Sequence, residues 1–339
     1  MRAVVVGAGA VGRQVVRLLA EDRAVRSLIV VEREPGQVAR LAERVARRVD
    51  VRRGSPTDLP PADVTVVAVP AGTGRVAETA LAQGSHVVSV CDDPAEVRTL
   101  LDLDGLARDK HLSLAAGVAM APGLSCVLAA QLKGFFESVE EVHVASIGTG
   151  GPACARRHHA ALTALALDWD AGEWRRRPGG SGRELVWFPE PIGGADCYRA
   201  GLADPLLLVP AFRGCRRVTA RLEATRRDRM TSWLPMLRPP HPEGLIGAVR
   251  VEMRGWVEGR AETRILGAAV RPALGAGATA AVAARWAAEG RFARPGAGGL
   301  AELVGTGAGQ FLRELAALGV TVSEFEGMDP QEKGAGGAR

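Results

Sequence analysis

Lysine is nearly missing from this chain of 339 residues: Lys110, Lys133 and Lys333 are the only three, and arginine supplies the rest of the 43 basic side chains. Arginine stays charged and cannot carry a proton, so one common source of general bases is almost closed. Aromatics are scarce as well, at 4%, with Tyr198 the sole tyrosine. The arginines are scattered in short groups such as Arg156–Arg157 and Arg216–Arg217, with few aromatics between them. No single basic face or nucleic-acid motif emerges, so the net charge of +5 reads as solvated surface with a few anion-binding arginines. The five cysteines (Cys91, Cys126, Cys154, Cys197, Cys215) are odd in number and form no C-x-x-C pair. They read as free thiols in a reducing compartment, with no zinc site and no disulfide frame. No basic segment followed by an apolar run opens the chain, because Gly7 breaks the first run at once. Residues 112–132 are uncharged and long enough to span a bilayer, but Pro122-Gly123 cuts them in half. A buried strand followed by a new helix is the better reading. A cytoplasmic protein with no membrane and no nucleic-acid partner is expected.

What remains is 47% hydrophobic, with 42 glycines, and long enough for two domains. Apolar strand-like runs fall at 3–6, 27–31, 64–69, 86–90 and 111–115. Helical patterns at 11–21, 37–48, 74–83 and 94–110 lie between them. Continuous apolar strands separated by amphipathic helices predict a doubly wound parallel sheet, an α/β fold, covered on both faces. Further strand-like runs at 141–147, 217–222, 248–256 and 262–266 alternate with helical stretches at 153–167 and 226–237. From Asp329 onward the chain is polar and Gly-rich, as a disordered tail would be.

The opening stretch, MRAVVVGAGAVGRQVV, places Gly7, Gly9 and Gly12 between the first strand and the first helix. Gly7 suits the tight turn, Gly9 the approach of a pyrophosphate, and Gly12 close packing of helix on sheet. Phosphate would then lie at the helix start, against Ala10 and Val11. Glu32 ends the second strand, where a carboxylate binds the ribose hydroxyls of NAD. It would repel the 2′-phosphate of NADP, which Arg33 beside it would attract, so NAD is favoured and NADP is possible. Val69, Pro70 and Ala71 follow the fourth strand and would pass close to the bound dinucleotide.

With HVVSVCDDPAEVRTLLDLDGLARDKHLSLAAGVAMAPGLSCVLAA, the chain resembles the saccharopine-dehydrogenase-like family. The features that carry the resemblance are GAGAVG, a helix ending in ALAQGSHVVSV, and a strand entering a Gly-x-x-x-x-Pro-Gly-x-Ser turn from Gly117 to Ser125. The C-terminal stretches GATAAVAARWAAEGRF and GAGQFLRELAALGVTV are similar too. The resemblance implies a Rossmann domain at 1–122 and an inserted mixed-sheet α/β domain at 123–274 that binds substrate and dimerises. Helices at 275–326 would return to the first domain, with 327–339 as the tail. It further implies an NAD(P)-dependent oxidoreductase acting on a C–N bond of a small carboxylated, amino-acid-like substrate. The family often carries an acidic or polar residue before the Pro-Gly turn, whereas this chain has Ala119, Met120 and Ala121. That departure leaves open a non-catalytic dinucleotide-binding sensor or assembly protein. Reduction of a C=C or C=O bond in a larger metabolite is a second alternative, because families with this nucleotide domain vary widely in substrate.

Candidate chemical groups are few. Cys91 and Asp92 follow the fifth strand, where catalytic groups meet a nicotinamide, whereas Asp93-Pro94 with Glu96 reads as a helix start. Tyr198 is a candidate proton donor, and Arg199 beside it a fork for a substrate carboxylate. Arg199 could instead pair with Asp196 or Asp204 for folding. His158 is a candidate substrate ligand. His158 and His159 point in different directions on a helix and have no ligand type four residues ahead, so no metal is expected there. Ser125 either caps its helix or touches substrate.

Overall fold

The computed structural model describes residues 1–37, 49–236 and 239–325. Most of the helical pattern at 37–48 and the tail at 327–339 lie outside the described residues. Six strands of the first half are parallel: β1 (Arg2–Val6), β2 (Ser27–Glu32), β3 (Val49–Arg53), β4 (Val64–Val67), β5 (His86–Ser89) and β6 (Ser113–Ala115). Their spatial order is β6-β5-β4-β1-β2-β3, and a short strand from late in the chain, Gly296–Gly298, pairs with β6 as the seventh. The order reverses between β1 and β4, which opens a crevice at their C-terminal ends. β1 and β4 lie at the centre of the sheet, and Val4, Val5, Val6, Val64, Val66 and Val67 are almost fully buried. β-branched side chains pack well on such a pleated surface, and removal of their apolar area from water drives the layer together.

Two helices cover the sheet beside the crevice. Helix Ala10–Glu21 buries Val15, Val16, Leu18 and Leu19. Helix Pro272–Ala288, almost wholly buried, lies against it. Their approach is close because small residues line it: a Cβ on Gly277 would lie 2.5 Å from the Gln14 Cβ.

The second sheet is mixed. Its strands are β7 (Ser138–Ile147), β8 (Ala166–Asp170), β9 (Glu173–Arg177), β10 (Glu184–Phe188), β11 (Gly193–Arg199), β12 (Arg217–Glu223), β13 (Gly247–Val257) and β14 (Arg260–Val270). The main order is β10-β11-β12-β7-β13-β14, closed by Ser323–Phe325 on β14, while β8 pairs with β12 and β9. Among the described strands of this sheet, β12 and β7 are the one parallel pair. Alternation sends Val142, Val144, Val218, Leu222, Val249 and Met253 into the main core, where helix Leu124–Lys133 packs on β7 and β13 and helix Asp204–Leu208 on β12. The opposite face carries Glu141, His143, Arg250, Glu252 and Arg254, joined by ion pairs.

Several local expectations are corrected. The stretch 153–167 is not one helix: helix Pro152–Ala161 stops where the Gly201 N–H takes the Ala161 carbonyl, and the chain turns into β8. Ala171 and Gly172, both at positive φ (51° and 85°), then make the tight turn into β9. The stretch 94–110 splits into helices Pro94–Leu101 and Asp104–Asp109, and helix Arg226–Thr231 ends well before residue 237. β10 and β11 are additional to the expected strands; on β10 the exposed Leu185 and Trp187 obscure a period-two pattern. Residues 275–325 are not helices alone, because they add one strand to each sheet. Among the described residues, no helix is long and apolar enough to cross a membrane.

Candidate functional site

The glycines of the opening turn have three different jobs. Gly7 adopts φ +97°, and a Cβ there would lie 2.6 Å from the Ala68 carbonyl oxygen of the neighbouring strand end. A Cβ on Gly12 would sit 2.1 Å from the Gly7 carbonyl oxygen, so hydrogen alone lets the helix pack onto the turn. A Cβ on Gly9 meets nothing within 4 Å. Gly9 faces open space, and no side chain caps the helix that starts there. The free N–H groups of that first turn and the Arg13 side chain border a cavity of about 670 Å³.

Glu32 closes the outer end of this turn. Its carboxylate accepts the Ala8 N–H at 2.6 Å and the N–H groups of Arg33 and Glu34 at 2.7 and 3.0 Å. A carboxylate has about four acceptor positions, so about one is left to receive a hydroxyl from the cavity. Arg33 is largely exposed and contacts Glu34 at 3.8 Å. Beyond it, Arg33, Arg53, Arg75, Ser55 and Thr57 line a smaller adjoining hollow. These features fit an adenine dinucleotide: an unhindered glycine, a helix start without a cap, and a ribose-facing acceptor.

The cavity runs inward past Val69, Pro70 and Ala71 to Cys91, Asp92, Met120 and Ala121. Its far wall is built by the second half of the chain. Gly151 at φ +117° packs so tightly that a Cβ would lie 2.6 Å from the Ala10 Cβ, and helix Pro152–Ala161 begins there. Cys154, Arg156, Arg157 and His158 of that helix face the cavity. Arg157 anchors the wall: it pairs with Asp93 at 2.9 Å and donates to the Gly201 carbonyl at 2.6 Å. Arg156 is exposed in the cavity and has no ion-pair or hydrogen-bond partner among the described residues.

At the inner end three side chains converge. His158 Nε2 lies 3.4 Å from Asp92 Oδ2 and 3.6 Å from Cys154 Sγ, and Sγ lies 3.8 Å from Asp92 Oδ2. Burial disfavours the His158 imidazolium, but Cys154 and Asp92 outweigh it and hold the ring up at about 10. Burial likewise opposes the Asp92 carboxylate, and His158 and Arg157 overcome it, so its pKa is lowered. The cluster therefore concentrates demand for one positive charge. Nδ1 of His158 is buried and has no hydrogen-bond partner among the described residues.

Of the residues expected from sequence, Gly7, Gly9, Ala10, Val11, Glu32, Arg33, Val69, Pro70, Ala71, Cys91, Asp92 and His158 border this one cavity. Gly12 acts behind it, through packing. Three expectations are corrected. Tyr198 is buried in the core outside the cavity, with the Arg229 guanidinium 4.2 Å from its ring centre. Arg199 lies outside as well. It pairs at 2.9 Å with buried Asp168, a partner that neither sequence reading named. Ser125 is fully buried and donates to Asp204 at 2.6 Å, so it neither caps its helix nor reaches the cavity. Cys91 borders the cavity, but burial pushes its thiol up to about 12 and keeps it neutral. Asp93 does cap its helix, accepting from Ala95 and Glu96, whereas the Glu96 carboxylate reaches away to Gly72 and Thr73. His159 is held by the Thr231 and Leu234 carbonyls.

Sequence reasoning missed Cys154 and did not single out Arg156 as a site residue. The signal is present in CARRH, where Cys154 stands one helical turn before His158. Asp92 comes from a loop of the first sheet, and no spacing could link it to that helix.

Residues 3–59 match the family model of the TrkA-N domain. No curated protein matches the sequence significantly. Among solved structures, the chain is similar to apo saccharopine dehydrogenase (L-Glu forming) from Saccharomyces cerevisiae. That likeness has a TM-score of 0.70 and 13% identity, and covers 96% of this chain and 100% of that one. Weaker likenesses are to GenD2 from gentamicin A biosynthesis in complex with NAD (TM-score 0.48, 16% identity, 96% and 97% covered) and to C. glutamicum DAP dehydrogenase in complex with DAP (0.49, 13%, 89% and 93%). At this identity it is architecture that is shared: the chain has the fold of saccharopine dehydrogenase.

Proposed function

We propose that the protein is a saccharopine-dehydrogenase-like, NAD(P)-dependent oxidoreductase acting on a C–N bond of a small carboxylated, amino-acid-like molecule. One observation carries this reading. The glycine turn with Glu32 and the Arg156–His158 wall share a single cavity, so a dinucleotide along the first would end beside a substrate against the second. Gly9, the first-turn N–H groups and Arg13 would hold the pyrophosphate, and Glu32 a ribose hydroxyl. When bound, the dinucleotide supplies or takes the hydride.

The chain's own residues do the rest. Arg156 is the anchor for the substrate carboxylate: it is charged, unpaired and in the cavity, and its fork suits two carboxylate oxygens. It takes the place that Arg199, committed to Asp168, cannot fill. Met120, Ala121 and Val69 exclude water from the inner cavity. Asp92 and His158 face the polar end of the reacting bond. The first 122 residues act as the dinucleotide domain and 123–274 as the substrate domain. The second sheet, with its charged face of Glu141, His143, Arg250, Glu252 and Arg254, makes a homodimer; light scattering at monomer mass at micromolar concentration would argue against that.

The function is tested by following NADH and NADPH oxidation with 2-oxo acids paired with amines, and reduction of the oxidised cofactors by amino acids. Turnover confined to carboxylated substrates supports the reading. Turnover of carbonyl or alkene compounds without an amine points instead to C=O or C=C reduction. Cofactor binding with no turnover on the whole panel would leave a dinucleotide-binding protein without catalysis.

A further inference from the structure

We infer that Cys154, His158 and Asp92 form a zinc-type divalent metal site with an open coordination position facing the cavity. The three donor atoms all lie within 4.8 Å of one another. Tetrahedral zinc with its usual bond lengths would put S and N about 3.6 Å apart, S and O about 3.6 Å, and N and O about 3.4 Å. The structure has 3.6, 3.8 and 3.4 Å. A charge-assisted N–H···O bond is normally about 2.7–2.9 Å long, so the His158–Asp92 separation is wide for a hydrogen bond and right for two ligands of one ion.

The chemistry of the donors agrees. Thiolate, imidazole and carboxylate together suit zinc rather than magnesium or calcium, which prefer oxygen. Three protein ligands leave the fourth position to water or a substrate oxygen, the pattern of catalytic rather than structural zinc. All three residues border the cavity, so that position opens on it. The site is also built rather than accidental. Cys154 and His158 are one helical turn apart on helix Pro152–Ala161, and Arg157 between them fixes that helix to the Asp92–Asp93 loop through Asp93 and the Asp92 carbonyl. A divalent ion here would join the two halves of the cleft.

This inference stands apart from the oxidoreductase reading, because ligand geometry alone carries it. Chelator-stripped full-length protein is titrated with Zn²⁺ by calorimetry and with Co²⁺ by visible absorption. One ion per chain is expected, with the intense visible bands of four-coordinate cobalt and a thiolate charge-transfer band. Cys154→Ser should abolish that band. His158→Gln should weaken Zn²⁺ by more than about 100-fold, beyond what loss of an outer-shell partner does. Failure to bind one equivalent, or an unchanged cobalt spectrum in Cys154→Ser, overturns the site. Should Cys154→Ser not fold, alkylation of the wild type mapped by peptide mass decides: Zn²⁺ must slow modification of Cys154, and an unaffected rate overturns the site. NADH titration in parallel separates the two readings. Zinc without NADH binding sinks the dinucleotide reading alone, and NADH without zinc binding sinks this one alone.

Discussion

The two walls of the cleft are built in opposite ways. The glycine turn draws its parts from a short stretch of chain, and each part answers a local steric demand: Gly7 a positive φ, Gly12 the Gly7 carbonyl, Gly9 open space. The opposite wall gathers Asp92 from one sheet and Cys154, Arg156 and His158 from a helix of the other half, locked by Arg157. The first wall is a backbone device, in which small residues matter because of what they do not occupy. The second is a side-chain device that exists only when the two halves are docked. Glycine substitutions should therefore damage the first wall sterically, whereas the second should respond to charge.

The largest expected effect separates a folding arginine from a site arginine. Arg199→Ala leaves the Asp168 carboxylate buried with no counter-charge, which should cost about 3–5 kcal/mol of stability. Urea unfolding reads this directly; an unchanged midpoint would return Arg199 to the list of site candidates. The second effect is set by pH. Burial raises the Asp204 carboxyl to about 6, partly offset by the Ser125 hydroxyl. A raised folded pKa in an acid means the native state binds the proton more tightly than the unfolded chain. Its contribution to stability is thus most favourable below about pH 4 and declines as pH rises to about 6, by at most about 3 kcal/mol. Asp204→Asn removes this dependence, so the stability of the variant relative to wild type should rise between those pH values. Parallel pH profiles for the two proteins would be the contrary result.

A smaller effect is expected at the far wall. Arg156→Ala should leave the unfolding midpoint unchanged and raise the KM for carboxylated substrates about 10- to 150-fold, the worth of one charge-assisted pair. A normal KM would move the anchor elsewhere. The smallest effect concerns cofactor choice. NADH should bind more tightly than NADPH because Glu32 faces the ribose, and Glu32→Gln should narrow the gap. The glutamine keeps an acceptor for the Ala8 N–H but loses the charge. Fluorescence titration measures the ratio, and a preference for NADPH would mean that Arg33, Arg53 and Arg75 decide it.

The same contrast explains what was legible in the sequence. The centre of the parallel sheet could be read because its strands are buried on both faces and appear as unbroken apolar runs, whereas the edge strand β3 (VDVRR) is largely exposed and carries no such run. The turn could be read because its residues are adjacent and sterically forced. Glu32 followed from its place at the end of β2. The second sheet was read in part. β7, β12 and β13 alternate plainly, but the exposed Leu185 and Trp187 on β10 disguised its edge. Tyr198 and Arg199 drew attention by rarity and by flanking glycines, yet the Gly182 beside Arg199 serves its packing: a Cβ there would lie 2.0 Å from the guanidinium. Rarity in a sequence says nothing about direction in space. The meeting of Cys154 with Asp92 and His158 escaped because it depends on docking, which no local pattern encodes.

The central claim is that the open space at Gly9 is where a dinucleotide lies, and NADH titration of wild type against Gly9→Val tests it most directly. Gly9 has φ −66° and ψ −168°, an extended conformation that valine adopts, and its Cβ would meet no protein atom within 4 Å. The variant should fold with an unchanged thermal midpoint and lose NADH affinity by about 100-fold or more, because the branched side chain occupies the pyrophosphate's place. Undiminished NADH binding by a folded Gly9→Val protein would contradict the account.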